Sequence, residues 1–136
     1  MGILFGTDEW VKALMEALNN SPGYAKAAEN WEGDFYFIIE KGDGITEEIY
    51  LYMDLWHGKC RDAFKVDNAS VKTPEFKLRA PLKTWKGVLD KKIDPIQGLM
   101  TRKLKMDGPM MKVMKTPKAA IELVECCASL STDWPA

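Results

Sequence analysis

Between Thr7 and Asn19 the apolar residues Val11, Leu14, Met15 and Leu18 recur at intervals of three and four, which places them on one face of an α-helix. Thr7 followed by Asp8 and Glu9 supplies a capping hydroxyl and two carboxylates at the end where the helix dipole favours negative charge. Asn19-Asn20-Ser21-Pro22 ends this helix and starts a short second one carrying Tyr24, Ala25 and Ala28, with proline at its first position. At Gly33 the period changes to two. Phe35, Phe37 and Ile39 share one face of a strand over residues 34–40, and Tyr36 and Ile38 make the other face apolar too, the pattern of a central strand covered on both sides. Residues 47–56 form a partner strand that separates Ile49, Leu51, Met53 and Leu55 from Tyr50, Tyr52 and Asp54, with Lys41-Gly42-Asp43-Gly44 as the hairpin turn between them.

His57-Gly58-Lys59 turns the chain into a third strand over 60–66, and a fourth alternates over 76–80. Pro81 opens a helix with the stripe Leu82, Trp85, Val88 and Leu89, and Asp94-Pro95 caps another carrying Ile96, Leu99 and Met100. Residues 103–107 alternate as a fifth strand, after which Pro109 and Thr116-Pro117 begin two last helices. Helices, a three-stranded meander, a fourth strand, helices, one strand and helices make an α+β layer, not a βαβ array. With 136 residues, 46% of them apolar, residues 1–136 are expected to form one domain whose core needs no disulfides.

Charge removes one class of partner. Nineteen Lys and Arg against 20 Asp and Glu leave a net charge of −1, whereas binding nucleic acid normally calls for a basic domain. Cys60, Cys126 and Cys127 show no C-x-x-C spacing, which fits reduced thiols in a cytoplasmic protein. No apolar run approaches membrane-spanning length, the amino end lacks a signal-peptide core, and the carboxyl end is no peroxisomal tripeptide. Any membrane contact is expected to be transient.

Catalytic chemistry finds little support. The single histidine, His57, lies in a turn, and a two-histidine metal site or nucleophile elbow is absent. Asp54 interrupts an apolar strand, but alternation puts it opposite Met53 and Leu55, on the outer face, where Arg61 can pair with it. Cys126 and Cys127 diverge by about 100° on a helix and cannot both reach one metal. Gly42 and Gly44 are not followed by a helix, which removes the dipole of a phosphate-binding loop. No catalytic residue, metal or cofactor is expected.

Met100, Met106, Met110, Met111 and Met114 are five of the eight methionines, and such clusters suit surfaces that accept variable apolar partners. Residues 83–118 hold 10 basic against 3 acidic residues, while 1–58 hold 3 against 11. An apolar cavity with cations near its mouth suits an acyl chain with an anionic head. An apolar groove that receives a partner helix or a second copy of the chain is the alternative, and the oligomeric state stays open.

Ala27-Ala28-Glu29-Asn30-Trp31-Glu32-Gly33-Asp34-Phe35 and Tyr52-Met53-Asp54-Leu55-Trp56-His57-Gly58-Lys59-Cys60 resemble segments of the sterol carrier protein 2 (SCP-2) family. So do Leu82-Lys83-Thr84-Trp85-Lys86-Gly87-Val88, Lys92-Ile93-Asp94-Pro95 and Leu99-Met100-Thr101-Arg102-Lys103-Leu104-Lys105. The family often has Gly-Lys-Leu-Lys at its last strand, and here Arg102 stands in the place of that glycine. The resemblance implies a stand-alone, prokaryote-like member: a five-stranded, mostly antiparallel sheet covered by helices, with a hydrophobic tunnel for fatty acid, fatty acyl-CoA or sterol. On that reading Phe37, Ile39, Leu51, Met53, Trp85, Leu89, Met100, Met110, Met114 and Ile121 are expected to line the tunnel, with Arg102 and Lys103 near the head group. Burying a chain of about 14 carbons at about 0.8 kcal/mol per methylene gives on the order of 10 kcal/mol before association costs, enough without catalytic residues.

Overall fold

Residues 2–134 are described by a computed structural model. β1 (Ile3–Leu4) leads into α1 (Asp8–Asn19), α2 (Pro22–Ala27), β2 (Glu32–Glu40), β3 (Ile49–Trp56), β4 (Lys59–Val66) and β5 (Phe76–Pro81). There follow α3 (Leu82–Leu89), α4 (Pro95–Met100), β6 (Lys105–Asp107), α5 (Met110–Met114), α6 (Pro117–Ser129) and β7 (Thr132–Asp133). The helix starts are those the caps specify. Thr7 Oγ1 accepts the Trp10 N–H at 3.2 Å, Ser21 Oγ accepts the Tyr24 N–H at 3.1 Å, and Asp94 accepts those of Ile96 and Gln97.

The large sheet runs β4-β3-β2-β5-β6, antiparallel at every join except the parallel pair β2–β5. β2 is therefore central, as its two apolar faces require. Its inner face, with Phe35, Phe37 and Ile39, meets the helical layer in the main core. Its outer face holds a second cluster of Tyr36, Ile38, Tyr52 and Val66. Because β4 lies at one edge and β5 on the far side of β2, residues 67–75 must cross this outer face, and they cover it. The Tyr36 hydroxyl donates to the Lys72 carbonyl at 3.1 Å and accepts its N–H at 2.8 Å, and the Lys72 ammonium sits 5.2 Å from the Tyr52 ring centre. Asp54 lies on the same face and takes both Nε and an η-nitrogen of Arg61 at 3.1 Å, the pairing that alternation anticipates.

Two features depart from the sequence expectation. Ile3–Leu4 and Thr132–Asp133 form a separate parallel pair, with the Phe5 N–H on the Asp133 carbonyl at 2.9 Å and the Trp134 ring 4.7 Å from Phe5. Two residues a side are too short to show a period. The fifth strand begins at Lys105 instead of 103, because Arg102 and Lys103 belong to the exit of α4. There the Leu104 N–H returns to the Gly98 carbonyl at 3.0 Å, and Arg102 takes φ of +62° just past the helix end, the left-handed conformation that favours glycine at this position. Arg102→Gly is expected to raise stability by about 0.5–1 kcal/mol, the relief of backbone strain outweighing the added freedom of the unfolded chain. A higher urea midpoint with an unchanged slope would show this; a lower midpoint would mean that the Arg102 side chain contributes more than its backbone costs.

Candidate functional site

Between the inner face of the sheet and the helices lies a cavity of about 90 Å³. Alternation on β2 sends Phe35 and Phe37 into it, joined by Leu78 of β5 and Met106 of β6. α3 contributes Trp85, Val88 and Leu89 from its buried stripe, and the α4 region contributes Pro95, Leu99 and Leu104. Val113 of α5 closes one side. α6 presents Ala120, Leu123, Val124 and Cys127, a spacing of three, four and seven that defines one helical face, and Phe5 and Trp10 also border the space. A second cavity of about 50 Å³ lies next to it, walled by Tyr24, Trp31 and Leu55 among others. Phe35, Val113, Ala120 and Leu123 border both cavities and so form the partition between them. Phe35 is held there by stacking on Phe76 at 4.7 Å and on Trp31 at 5.8 Å.

Among the described residues, no charged side chain touches either cavity. The titratable groups on their walls are the Cys127 thiol and the Tyr24 hydroxyl, and burial pushes both well above their ordinary range, so both are neutral. Burial likewise raises Cys126 and pushes the Cys60 thiol up to about 12. All three cysteines are free and buried. Native protein is therefore expected to react with a thiol-disulfide reagent about 1000-fold more slowly at neutral pH than protein unfolded in denaturant. Rapid labelling of even one thiol would show that this part of the core opens readily.

Phe37, Trp85 and Leu89, expected from the sequence to line a tunnel, border the larger cavity. Ile39, Leu51 and Met53 do not. They lie on the inner face but are fully buried against other side chains, so they form close-packed core. Met114 is half-buried against that core. Ile121 is exposed, one residue and about 100° off the lining face of α6. Met100 and Met110 are exposed as well, and Arg102 and Lys103 stand in solvent with no surface on the cavity. Phe35, Leu78, Val113, Leu123 and Val124 were not singled out by sequence reasoning, although the shared face of Phe35 and Phe37 and the spacing of Ala120, Leu123, Val124 and Cys127 were visible in it. Lys112 makes a different use of its charge: its ammonium pairs with Glu75 at 3.1 Å, reaches the Glu32 carbonyl and lies over the Trp31 ring, fastening α5 to the sheet.

An apolar cavity enclosed by one face of such a sheet and a helical layer accompanies a direct sequence match: the profile of the SCP-2 sterol transfer family covers residues 11–120. The chain belongs to the SCP-2 sterol transfer family. Among solved structures, a crystal structure of sterol carrier protein 2 is 31% identical, with a TM-score of 0.86 over 93% of this chain and 98% of that one. A conserved hypothetical protein of Thermus thermophilus is 30% identical, with a TM-score of 0.87 over 97% of this chain and 93% of that one. The fold also recurs inside a larger enzyme chain, the sec-alkyl sulfatase PisA1, at 14% identity and a TM-score of 0.53 over 76% of this chain and 14% of that one. No curated relative matches the chain. Among the described residues no helix is long and apolar enough to cross a membrane.

Proposed function

We propose that this SCP-2 chain is a non-enzymatic lipid carrier, which takes the acyl chain of a fatty acid or fatty acyl-CoA, or a sterol-like ligand, into the cavity between sheet and helices. The observation that carries the reading is the cavity's wholly apolar wall. Such a wall offers a hydrocarbon chain burial at about 0.8 kcal/mol per methylene and offers nothing to a polar substrate. The titratable groups along it are neutral and hold no acid–base partner, which favours binding over catalysis. The lining residues Phe5, Trp10, Phe37 and Trp85 are buried, which favours a cavity for an apolar chain over a surface groove for a partner helix.

The cavity is small. An apolar protein cavity of about 150 Å³ holds benzene, so a long acyl chain requires the two cavities to merge past Phe35 and the helical roof to lift. On this reading the part of the roof that lifts is α5, whose Lys112–Glu75 pair must then open. α5 is five residues long, and neither Pro109 before it nor Thr116 before α6 provides a side-chain cap. Native mass spectrometry of freshly purified protein is expected to show one bound lipid, and delipidated protein is expected to bind a fluorescent long-chain fatty acid at micromolar concentration or below. Protein that carries no lipid and fails to bind the probe at about 50 µM, a free energy near −6 kcal/mol, would overturn the reading.

A further inference from the structure

One cation lies directly behind the apolar wall. The Lys112 ammonium sits 5.2 Å from the centre of the Trp31 ring, which borders the smaller cavity, and 5.7 Å from that of Phe76. Phe76 stacks in turn on Phe35, the residue of the partition. Among the described residues Lys112 is the only cation placed over a ring that borders either cavity. It precedes Val113, which borders both, so the ammonium and a lining side chain move together with α5. With α5 in place, Lys112 donates to both carboxylate oxygens of Glu75, at 3.1 and 3.2 Å, and to the Glu32 carbonyl. The neighbouring acids have partners of their own: Glu32 meets His57 at 2.6 Å, Asp34 accepts the Tyr52 hydroxyl at 2.9 Å, and Asp54 holds Arg61. Lifting α5 therefore separates Lys112 from the one carboxylate that pairs with it.

We propose that Lys112 is the head-group residue of the carrier: when α5 lifts, its ammonium leaves Glu75 and takes the carboxylate of an incoming fatty acid, whose chain lies beneath it past Trp31 and Phe35. The inference rests on the carrier reading and deepens it by naming the ligand class, a hydrocarbon chain with an anionic head. A ligand carboxylate replaces the charge-assisted hydrogen bonds that opening breaks, whereas a neutral head leaves the ammonium without an anion. Partly exposed ion pairs are individually modest, so a selectivity of about fivefold is the expected scale.

Titration of delipidated protein at neutral pH with a fluorescent long-chain fatty acid and with its methyl ester tests this. Wild type is expected to bind the acid about fivefold more tightly than the ester, and Lys112→Gln to reduce that ratio to about one or below. Lys112→Arg keeps the charge and should keep the preference. Glu75→Gln removes the competing carboxylate, so it is expected to raise the affinity for the acid about fivefold while the preference for acid over ester persists. Both side chains are partly exposed, so these variants should remain folded. A Lys112 that serves only to fasten α5 would leave the ratio unchanged on substitution, and the two neutralising variants would then act in the same direction. Equal binding of acid and ester by wild type, a preference that survives Lys112→Gln, or weaker binding of the acid by Glu75→Gln would overturn the proposal. Failure of the carrier reading shows differently, as wild type that binds neither probe, and the inference would fall with it.

Discussion

Ala120→Phe is expected to lower the affinity for a long-chain fatty acid by about a hundredfold or more while leaving the protein folded. Ala120 stands in the partition between the two cavities and borders both. A ring placed there occupies the space through which an acyl chain must pass. Denying burial to even four methylenes removes about 3 kcal/mol, which is the hundredfold. Because the ring enters existing empty volume, the stability change should stay within the range of about 1–3 kcal/mol seen for overpacking, and partial filling of the void would reduce it. Titration of the fluorescent fatty acid into wild type and variant, with circular dichroism as the control for folding, measures both. Unchanged affinity in a folded variant would place the ligand elsewhere.

Trp85→Ala should produce the largest loss of stability, about 3–5 kcal/mol, a substantial part of the total expected for a domain of this kind. The ring is 3% exposed, packs 5.1 Å from Phe37, and donates its indole N–H to the Ile38 carbonyl at 3.0 Å. Truncation would therefore leave a void beside an existing cavity and a strand carbonyl without its donor. Trp85→Phe separates these effects, keeping most of the packing and costing about 1–3 kcal/mol for the unmet carbonyl. Urea unfolding of the three proteins gives the comparison. A loss below about 1 kcal/mol for alanine would show that the helix α3 is not tightly seated on β2.

Where the sequence spoke in periods, the fold followed. The change from 3.6 to 2 at Gly33 located the central strand, its doubly apolar pattern indicated cover on both faces, and the stripe of Leu82, Trp85, Val88 and Leu89 located the helix that walls the cavity. The cavity itself was only partly legible, since an apolar pattern says that a residue is buried but not whether empty space lies beside it. Phe37 and Ile39 share a strand face, yet one borders the chamber and the other is packed solid. For α6, Ile121 and Val124 are both apolar, and only the seating of the helix on its neighbours decides which looks inward. The methionine cluster divides for the same reason: Met106 borders the cavity and Met114 packs against the core, whereas Met100, Met110 and Met111 are exposed. Arg102 stands where the sequence resemblance sets a glycine, and its positive φ is a backbone conformation that glycine adopts without strain.

The central claim is that a hydrocarbon chain lies between the inner sheet face and α3, α5 and α6. Methyl-labelled protein titrated with a fatty acid carrying a nitroxide at mid-chain tests it most directly, by the signals that the radical broadens. The account predicts the strongest broadening for Leu78, Val88, Leu89, Val113, Leu123 and Val124, with weaker broadening for Ile38 and Val66 on the far side of the sheet. Broadening confined to the outer cluster, or no broadening in the presence of bound fatty acid, would contradict it.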